Sequence, residues 1–295
     1  MRLIGFVQSR NCVENGLLRW CLESLSKTTD FIVVYDDAST EAVRPIYEEF
    51  GCLVLYGERN EFHKELYHKA QLLAVALRYQ PDWIVWIDSD AILGPYWEDR
   101  SQVERALSQA GDQGLVRLHL HNLNLWRSYG WYRTDQAYND LWHGVCWRNT
   151  NELHYEPVGR LHLKQFPHAF HDPEKDAHAM RLEPRFQDPR AKLLHCGFVR
   201  DEEIARKFFT YRAHGQSGWA LERLVSESPR LNPQTGQVEE RTLEPVPAEW
   251  YPQWLLDSAG ETLKLGEGAP FPRFTPEEMA TYGSYEEWCE RAGAR

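Results

Sequence analysis

Short apolar runs alternate with amphipathic stretches along the first part of the chain. Strands are predicted where β-branched and aromatic residues run together, and helices where apolar residues recur every three or four positions. These patterns predict strands over 3–7, 31–35, 52–56 and 83–87, and helices over 14–27, 41–50 and 63–78. The β-α-β-α-β-α-β order predicts an α/β fold of Rossmann type, with a mostly parallel central sheet and helices on both faces.

The pattern becomes less regular after residue 97. It predicts helices over 98–109 and 201–214, a strand over 115–120, and a short strand or turn over 192–198. Residues 126–190 are dense in Trp, Tyr, His and Arg, which predicts long loops of the kind that carry binding function. Prolines and acids increase beyond Ser226, so we expect a main domain over 1–225 and an irregular C-terminal extension over 226–295.

Composition narrows the classes of partner. The chain has 295 residues and a formal net charge of −11, and no long basic stretch marks a nucleic-acid footprint. Apolar segments are too short for a signal peptide or a membrane span, which predicts a cytoplasmic protein without a membrane span. The six cysteines show no C-x-x-C pairing, which favours reduced, structural thiols.

The first candidate for chemistry is the triplet Asp88-Ser89-Asp90, which directly follows the apolar run 83–87. Two carboxylates so close to a buried strand are costly without a cation or strong hydrogen bonds. Open α/β sheets bind their ligands at the carboxyl ends of the strands. The triplet therefore predicts a divalent metal that holds a diphosphate, with a capped turn as the alternative.

Two further motifs with candidate ligand-binding residues accompany the D-x-D triplet. Asp36-Asp37-Ala38-Ser39-Thr40 follows the second predicted strand, and His195 lies in Leu194-His195-Cys196-Gly197-Phe198. Together with the D-x-D triplet, these motifs resemble the GT-A fold glycosyltransferases, in particular family 2, over residues 1–215. The resemblance implies a nucleotide-sugar donor, UDP-linked in the first instance, and Mn²⁺ or Mg²⁺ as the metal.

The resemblance also implies roles for single residues. Asp90 would be the main metal ligand, Asp88 would be shared between metal and ribose, and His195 would complete the metal shell. In the turn after the second strand, Asp37 is the preferred reader of the nucleotide base, beside Asp36, and Arg10 would meet phosphate or base. The alternative roles are a helix cap for the Asp36-Asp37 pair, a structural role for His195 and a surface position for Arg10.

The implied reaction is hexosyl or pentosyl transfer, with inversion, to a hydroxyl of a glycan, lipid-linked saccharide, protein or small metabolite. A hydroxymethylated DNA base is a less favoured acceptor because the chain is acidic. Inverting transfer needs a carboxylate to accept the acceptor's proton, and Glu156 and Asp172 are preferred. The family's His-Glu pair has no counterpart at Leu161-His162-Leu163, so other acids stay open, namely Asp135, Asp140, Glu152 and Asp176.

Two other functional classes stay open. A nucleotidyltransferase uses a similar sheet but would carry a glycine-rich basic loop after the first strand, where 8–16 holds one glycine. A non-catalytic sugar- or nucleic-acid-binding module would not need the D-x-D triplet. Cations in the third predicted helix, including Lys64 and Lys69, would steer a diphosphate or lie on a solvated face. Under the glycosyltransferase hypothesis, the C-terminal extension would be a lid or bind acceptor.

Overall fold

The chain divides into two compact units. The computed structural model describes residues 1–134, 141–156, 166–182, 184–225, 230–231, 238–239, 243–267 and 275–292. The first unit comprises Met1–Asn122, Trp142–Leu194 and Glu249–Leu255. The second comprises Leu123–Leu141, His195–Ala248 and Leu256–Arg295, so it starts before residue 226. The role predicted for the segment 226–295 stays a prediction.

The helices and strands are named here in chain order. The described strands are β1 Leu3–Ser9, β2 Phe31–Asp36, β3 Leu53–Tyr56, β4 Trp83–Trp86, β5 Ala91–Leu93, β6 Arg117–Asn124, β7 Trp131–Arg133, β8 Trp142–Arg148, β9 Lys192–His195, β10 Arg230–Leu231, β11 Val238–Glu239 and β12 Leu243–Pro245. The described α-helices are α1 Leu17–Ser26, α2 Arg44–Glu49, α3 Glu65–Leu77, α4 Arg100–Asp112, α5 Pro173–Arg181, α6 Asp201–Ala213, α7 Trp219–Val225, α8 Gln253–Leu263, α9 Pro276–Ala280 and α10 Tyr285–Ala292.

An eight-stranded sheet with the order β3-β2-β1-β4-β8-β6-β9-β5 organises the first unit. Strands β3, β2, β1 and β4 are mutually parallel, whereas β8 pairs antiparallel with both β4 and β6. The predicted α/β fold with a mostly parallel central sheet is confirmed. The chain moves outward from β1 to β2 and β3 on one side and returns to β4 on the other. This order creates a topological switch point between β1 and β4, where such sheets bind ligands.

The central strands are buried on both faces of the sheet. Leu72 and Leu73 of α3 share a core with Ile4, Phe6 and Trp86. The alternate strand residues Leu3, Val7, Ile32 and Val34 point the other way and are also buried. Helix α1 contacts β1, β2 and β5. Burial on both faces explains why these strands appear in the sequence as continuous apolar runs.

The prediction of long loops over 126–190 is wrong in part. The region predicted as long loops contains β7, β8 and α5, and β8 lies inside the sheet between β4 and β6. Its sequence WHGVCWR mixes polar and apolar residues, so pairing with neighbours distant in sequence determines the strand more than local propensity does. The segment after Ser226 is helical in α8, α9 and α10.

The second unit has its own apolar core. Trp126 and Phe198 pack there with residues of α6 and α7 and with Met279 and Trp288. A buried ion pair between Arg127 and Asp201 lies in the same unit. No helix among the described residues is both long and apolar enough to cross a membrane.

Candidate active site

Three loops meet at the carboxyl ends of β1, β2 and β4, within the first unit. Because these strands are parallel neighbours, the residues that follow them reach the same edge of the sheet. Cys12, after β1, has its Sγ 3.9 Å from the Ser89 Oγ of the D-x-D triplet. The Asn11 N–H donates to the Ser39 Oγ at 2.7 Å, which joins the loops after β1 and β2. The predicted base-reading and metal-binding motifs therefore lie on adjoining loops.

The backbone of these loops adopts unfavourable conformations. Asn11, Cys12 and Ala38 have φ angles of 60°, 69° and 54°, in the left-handed region that favours glycine. Side chains secure the strained turns: the Asn11 Oδ1 accepts from the Thr40 N–H at 2.8 Å, and the Glu41 Oε2 accepts from the Val13 N–H at 2.5 Å. Such strain clusters at ligand-binding sites, where surrounding bonds compensate for it. We therefore expect the functional site at these loops.

The adjacent carboxylates of Asp36 and Asp37 have different surroundings. Both Asp36 oxygens are engaged, one by the Tyr47 hydroxyl at 2.8 Å and the other by the Ser39 N–H at 2.8 Å. The second of these bonds closes the turn after β2, and it is not the helix cap given as the alternative for this pair, since α2 begins at Arg44. Among the described residues, Asp37 accepts one hydrogen bond, from the Glu61 N–H at 2.9 Å. Asp37 is therefore the better placed of the two to accept a bond from a ligand.

The D-x-D triplet is fixed through its main chain. The Asp88 carbonyl accepts from the Cys21 thiol at 3.5 Å and from the Ala91 N–H at 3.0 Å. Burial raises the pKa of Cys21 well above its usual value, and the charges of Asp90 and Asp88 raise it further, so the thiol stays protonated. Both aspartates are half-buried, and no side chain among the described residues bonds to the Asp88 carboxylate. The triplet thus presents a carboxylate that its own turn does not use.

A stacked pair that the sequence analysis missed flanks the base-reading turn. The Tyr35 and His68 rings stack with centroids 4.1 Å apart and an interplanar angle of 14°. The Gln8 Nε2 lies 3.1 Å from the His68 Nδ1 and donates to it. Burial lowers the pKa of His68. The nearby charges of Asp37 and Glu61 raise it, but by less than burial lowers it. The His68 ring is 33 residues from Tyr35 in sequence, and only the packing of α3 on β1 and β2 brings them together.

The donor set at this edge suits a hard divalent cation. No group of three or more His, Cys, Asp or Glu side chains in the described part of the chain is arranged to hold a metal ion. Mg²⁺ in nucleotide sites needs only one or two carboxylates, because phosphate oxygens and water complete its shell. Asp88 and Asp90 meet that requirement. Their role as metal ligands stays a prediction.

His195 belongs to the second unit. Its Nδ1 lies 2.7 Å from the Asn124 Oδ1, and its Nε2 lies 3.4 Å from the Lys207 Nζ. The Asn124 bond fixes the proton on Nδ1 and leaves Nε2 as the acceptor, which is the form that a metal ligand needs. The Lys207 ammonium lies at that same nitrogen, as expected for the structural alternative. Metal ligation by His195 stays a prediction.

The candidate bases differ in what their carboxylates already do. Asp172 caps α5 by accepting from the Glu174 N–H at 2.9 Å and the Lys175 N–H at 3.2 Å. Glu156 is exposed and follows Tyr155, whose pKa is raised by burial and further by the charges of Glu65 and Asp88. Among the other open candidates, Glu152 accepts from the His171 N–H at 3.0 Å and Asp176 pairs with His168, whereas Asp135, Asp140 and His162 lie outside the described residues.

The arginine and lysine predictions have different outcomes. Arg10 is half-buried at the end of β1, next to the switch point, and its predicted contact with phosphate or base stays a prediction. Lys69 is not on a solvated face: it is 1% exposed, pairs with Glu65, and its Nζ lies 4.2 Å from the Trp86 ring centroid. Steering of a diphosphate by Lys69 is therefore excluded.

No protein-family model and no curated protein matches the chain. Among solved structures, it is similar to S. aureus TarS 1-349, with 12% identity, a TM-score of 0.41, and coverage of 76% of this chain and 69% of that one. S. aureus TarS 1-349 in complex with UDP-GlcNAc matches with 21% identity and a TM-score of 0.32, over 42% of this chain. The chain spans 22–36% of the length of the first TarS structures it matches. Likeness at this level identifies no family, and the function is argued from the chain's own residues.

Proposed function

We propose that the protein is a metal-dependent glycosyltransferase that moves a sugar from a nucleotide sugar, UDP-linked in the first instance, to a hydroxyl acceptor. One observation carries this proposal. Two carboxylate turns, Asp36-Asp37 and Asp88-Ser89-Asp90, lie at the carboxyl ends of β2 and β4, on either side of β1 at the switch point of one sheet. A nucleoside diphosphate laid across β1 would meet acids suited to its base at one end and acids suited to a metal at the other.

The residues divide the binding of the donor between them. Asp37 accepts a hydrogen bond from the base, and the neutral His68 stacked on Tyr35 borders the same turn. Arg10, at the end of the strand between the two turns, pairs with a phosphate. Asp88 and Asp90 would hold Mn²⁺ or Mg²⁺, and the metal would supply Lewis-acid chemistry by neutralising charge on the departing diphosphate.

The acceptor hydroxyl needs a carboxylate to take its proton as it attacks the sugar carbon. We assign this role to Glu156, because its side chain is exposed and the Asp88 charge reaches its neighbour Tyr155, whose pKa it raises after burial and Glu65. Attack from the face opposite the diphosphate inverts the configuration at that carbon. Asp172 is the second candidate, although its carboxylate is already engaged as a helix cap.

Binding of the donor tests the proposal directly. UDP-, GDP-, CMP- and dTDP-sugars are added with Mn²⁺, Mg²⁺ or EDTA, and thermal unfolding is followed for wild type, Asp90→Ala and Asp112→Ala. Asp112 is exposed at the end of α4, so its variant removes the same charge away from the site. We expect one nucleotide class to stabilise wild type and Asp112→Ala in a metal-dependent way, and Asp90→Ala to lose that effect. If no sugar nucleotide shifts the transition, the proposal fails.

Product analysis separates transfer from the alternative chemistry. Once the donor is identified, release of nucleoside diphosphate from it supports glycosyl transfer. This release includes slow transfer of the sugar to water. Release of pyrophosphate from a nucleoside triphosphate and a sugar phosphate would instead indicate a nucleotidyltransferase. Glu156→Gln should abolish transfer while donor binding is retained. Normal transfer by this variant would pass the role of base to Asp172 or another acid.

A further inference from the structure

Lys192 is a buried lysine that the proposed chemistry does not use. It begins β9 and is 8% exposed, and its Nζ donates to the His121 Nδ1 at 2.8 Å. The same ammonium lies 4.4 Å from the centroid of the Trp250 ring. His121, Lys192 and Trp250 all belong to the first unit.

No carboxylate among the described residues pairs with Lys192. Lysine is almost never fully buried without an ionic partner, because desolvation of the ammonium is costly. Lys69, which is also buried in this unit, follows the rule by pairing with Glu65. For Lys192, burial lowers the pKa and no acid raises it. The His121 ring and the Trp250 ring compensate only part of this desolvation cost. Burial of the Lys192 ammonium therefore destabilises the fold unless an anion binds beside it.

The surroundings add a second cation and an aromatic surface. His121 stacks on Trp142 with ring centroids 5.2 Å apart, and the guanidinium carbon of Arg185 lies 4.4 Å from the Trp142 ring centroid. Arg185 is exposed. Cationic groups and aromatic rings thus lie together on β8, β6 and β9, on the segment between α5 and β9 that carries Arg185, and on the segment that carries Trp250.

This cluster lies at the same edge of the sheet as the D-x-D triplet. His121 and Trp142 are direct partners in β6 and β8. In the antiparallel pairing of β8 with β4, Val85 is opposite Cys146, so Trp142 continues past the carboxyl end of β4. The next residue, His143, has its ring centroid 5.0 Å from that of Trp86, the last residue of β4. The cluster therefore lies beyond the carboxyl end of β4, at the edge of the sheet that carries the triplet.

We propose that Lys192 and Arg185 bind an oxyanion, a phosphate or carboxylate group, carried by the acceptor, with the rings of Trp142 and Trp250 against its apolar portion. An oxyanion would give the buried ammonium the charge-assisted hydrogen bonds that no acid of the described chain supplies. That the anion belongs to an acceptor rests on the proposed glycosyl transfer. The anion site itself does not, since it needs neither donor nor metal.

Thermal unfolding in simple salts tests the anion site without any nucleotide. Wild type is heated in sodium phosphate and in sodium acetate, each compared with sodium chloride at equal ionic strength. We expect phosphate or acetate to raise the Tm of wild type by about 2–4 °C over chloride once the anion exceeds its Kd roughly tenfold. The salt that gives the larger rise identifies phosphate or carboxylate as the preferred group. Equal Tm values in all three salts would overturn the proposal.

Variants tie any rise to Lys192. Lys192→Met should lose the anion-dependent rise and Lys192→Arg should keep it, whereas Lys175→Met serves as the matched control. Lys175 is an exposed lysine that also lies over an aromatic ring, 3.7 Å from the Phe170 centroid. If Lys192→Met does not fold, the exposed Arg185→Ala should reduce the rise instead. A rise that persists in both Lys192→Met and Arg185→Ala would overturn the proposal. If no sugar nucleotide shifts the wild-type transition, the proposed function fails but the anion site stands.

Discussion

The Tyr47 hydroxyl donates a hydrogen bond to the Asp36 Oδ2 at 2.8 Å, and both side chains are buried. Burial and then the Asp36 charge raise the pKa of Tyr47, so the hydroxyl stays a donor throughout the physiological range. The next residue, Asp37, has no such anchor and receives only the Glu61 N–H among the described residues. One carboxylate of the pair therefore builds the turn, and its neighbour is left for a ligand.

Removing the anchor should affect stability rather than nucleotide choice. Tyr47→Phe removes the hydrogen bond to Oδ2 of the buried Asp36 carboxylate and leaves only the bond from the Ser39 N–H to Oδ1, and we expect a loss of about 1.5–3 kcal/mol in the free energy of unfolding. Chemical denaturation measures it. Asp37→Asn, which keeps an acceptor oxygen for the Glu61 N–H, should cost less stability but weaken binding of the preferred nucleotide. A larger stability loss for Asp37→Asn than for Tyr47→Phe would reverse these two assignments.

The sequence predicts the location of the acidic motifs well, because a parallel sheet brings the carboxyl ends of its strands to one edge wherever the chain goes in between. It cannot show which acid of a pair is structural, since Tyr47 lies in a separate helix and nothing in the local pattern links it to Asp36. The Lys192–His121 contact spans 71 residues and depends on β6 and β9 meeting in the sheet. Strand β8 was missed for the same reason, because its neighbours rather than its own residues define it.

The two lysines that are buried among the described residues of the first unit should respond oppositely to the same substitution. Lys69→Met breaks a buried ion pair and leaves the Glu65 charge without its ammonium partner, which we expect to cost roughly 3–5 kcal/mol. Lys192→Met removes a buried charge that has no acidic partner among the described residues, so stability should stay level or rise. Denaturant unfolding in chloride buffer at neutral pH compares both variants with wild type.

This comparison also separates function from structure at Lys192. A stabilised Lys192→Met that has lost the phosphate or acetate effect would mean that the charge is kept for a ligand at a cost in stability. If Lys192→Met loses as much unfolding free energy as Lys69→Met, the role of Lys192 is to stabilise the folded β9. Lys175→Met, at an exposed position, should lie within about 0.5 kcal/mol of wild type.

Asp172 offers a test that distinguishes a cap from a catalytic base. Asp172→Ala should lose about 1 kcal/mol of stability, because the Glu174 and Lys175 N–H groups lose their acceptor. Asp172→Asn should be nearly neutral, since asparagine caps helices as well as aspartate does. Once a donor is identified, Asp172→Asn should retain transfer. Loss of transfer by a fully stable Asp172→Asn would make Asp172 the base and displace Glu156.

The buried Asp176 should make the first unit sensitive to acid. Burial alone would raise the pKa of Asp176, but hydrogen bonds from His168 at 2.7 Å and from the Ala169 and Phe170 N–H groups outweigh it, and the pKa is lowered from 3.8. A carboxylate whose pKa falls on folding stabilises the folded state above its unfolded pKa, and that stability disappears as the pH drops through the lowered value.

Asp176→Asn should therefore lose stability at pH 7, and its deficit relative to wild type should shrink between pH 4 and pH 3 as wild type itself weakens. Denaturant unfolding across that range measures the deficit, with Asp112→Asn as the exposed control. If the deficit is equally large at pH 7 and pH 3, the stability is lost because the asparagine amide packs poorly and not because the Asp176 charge is missing.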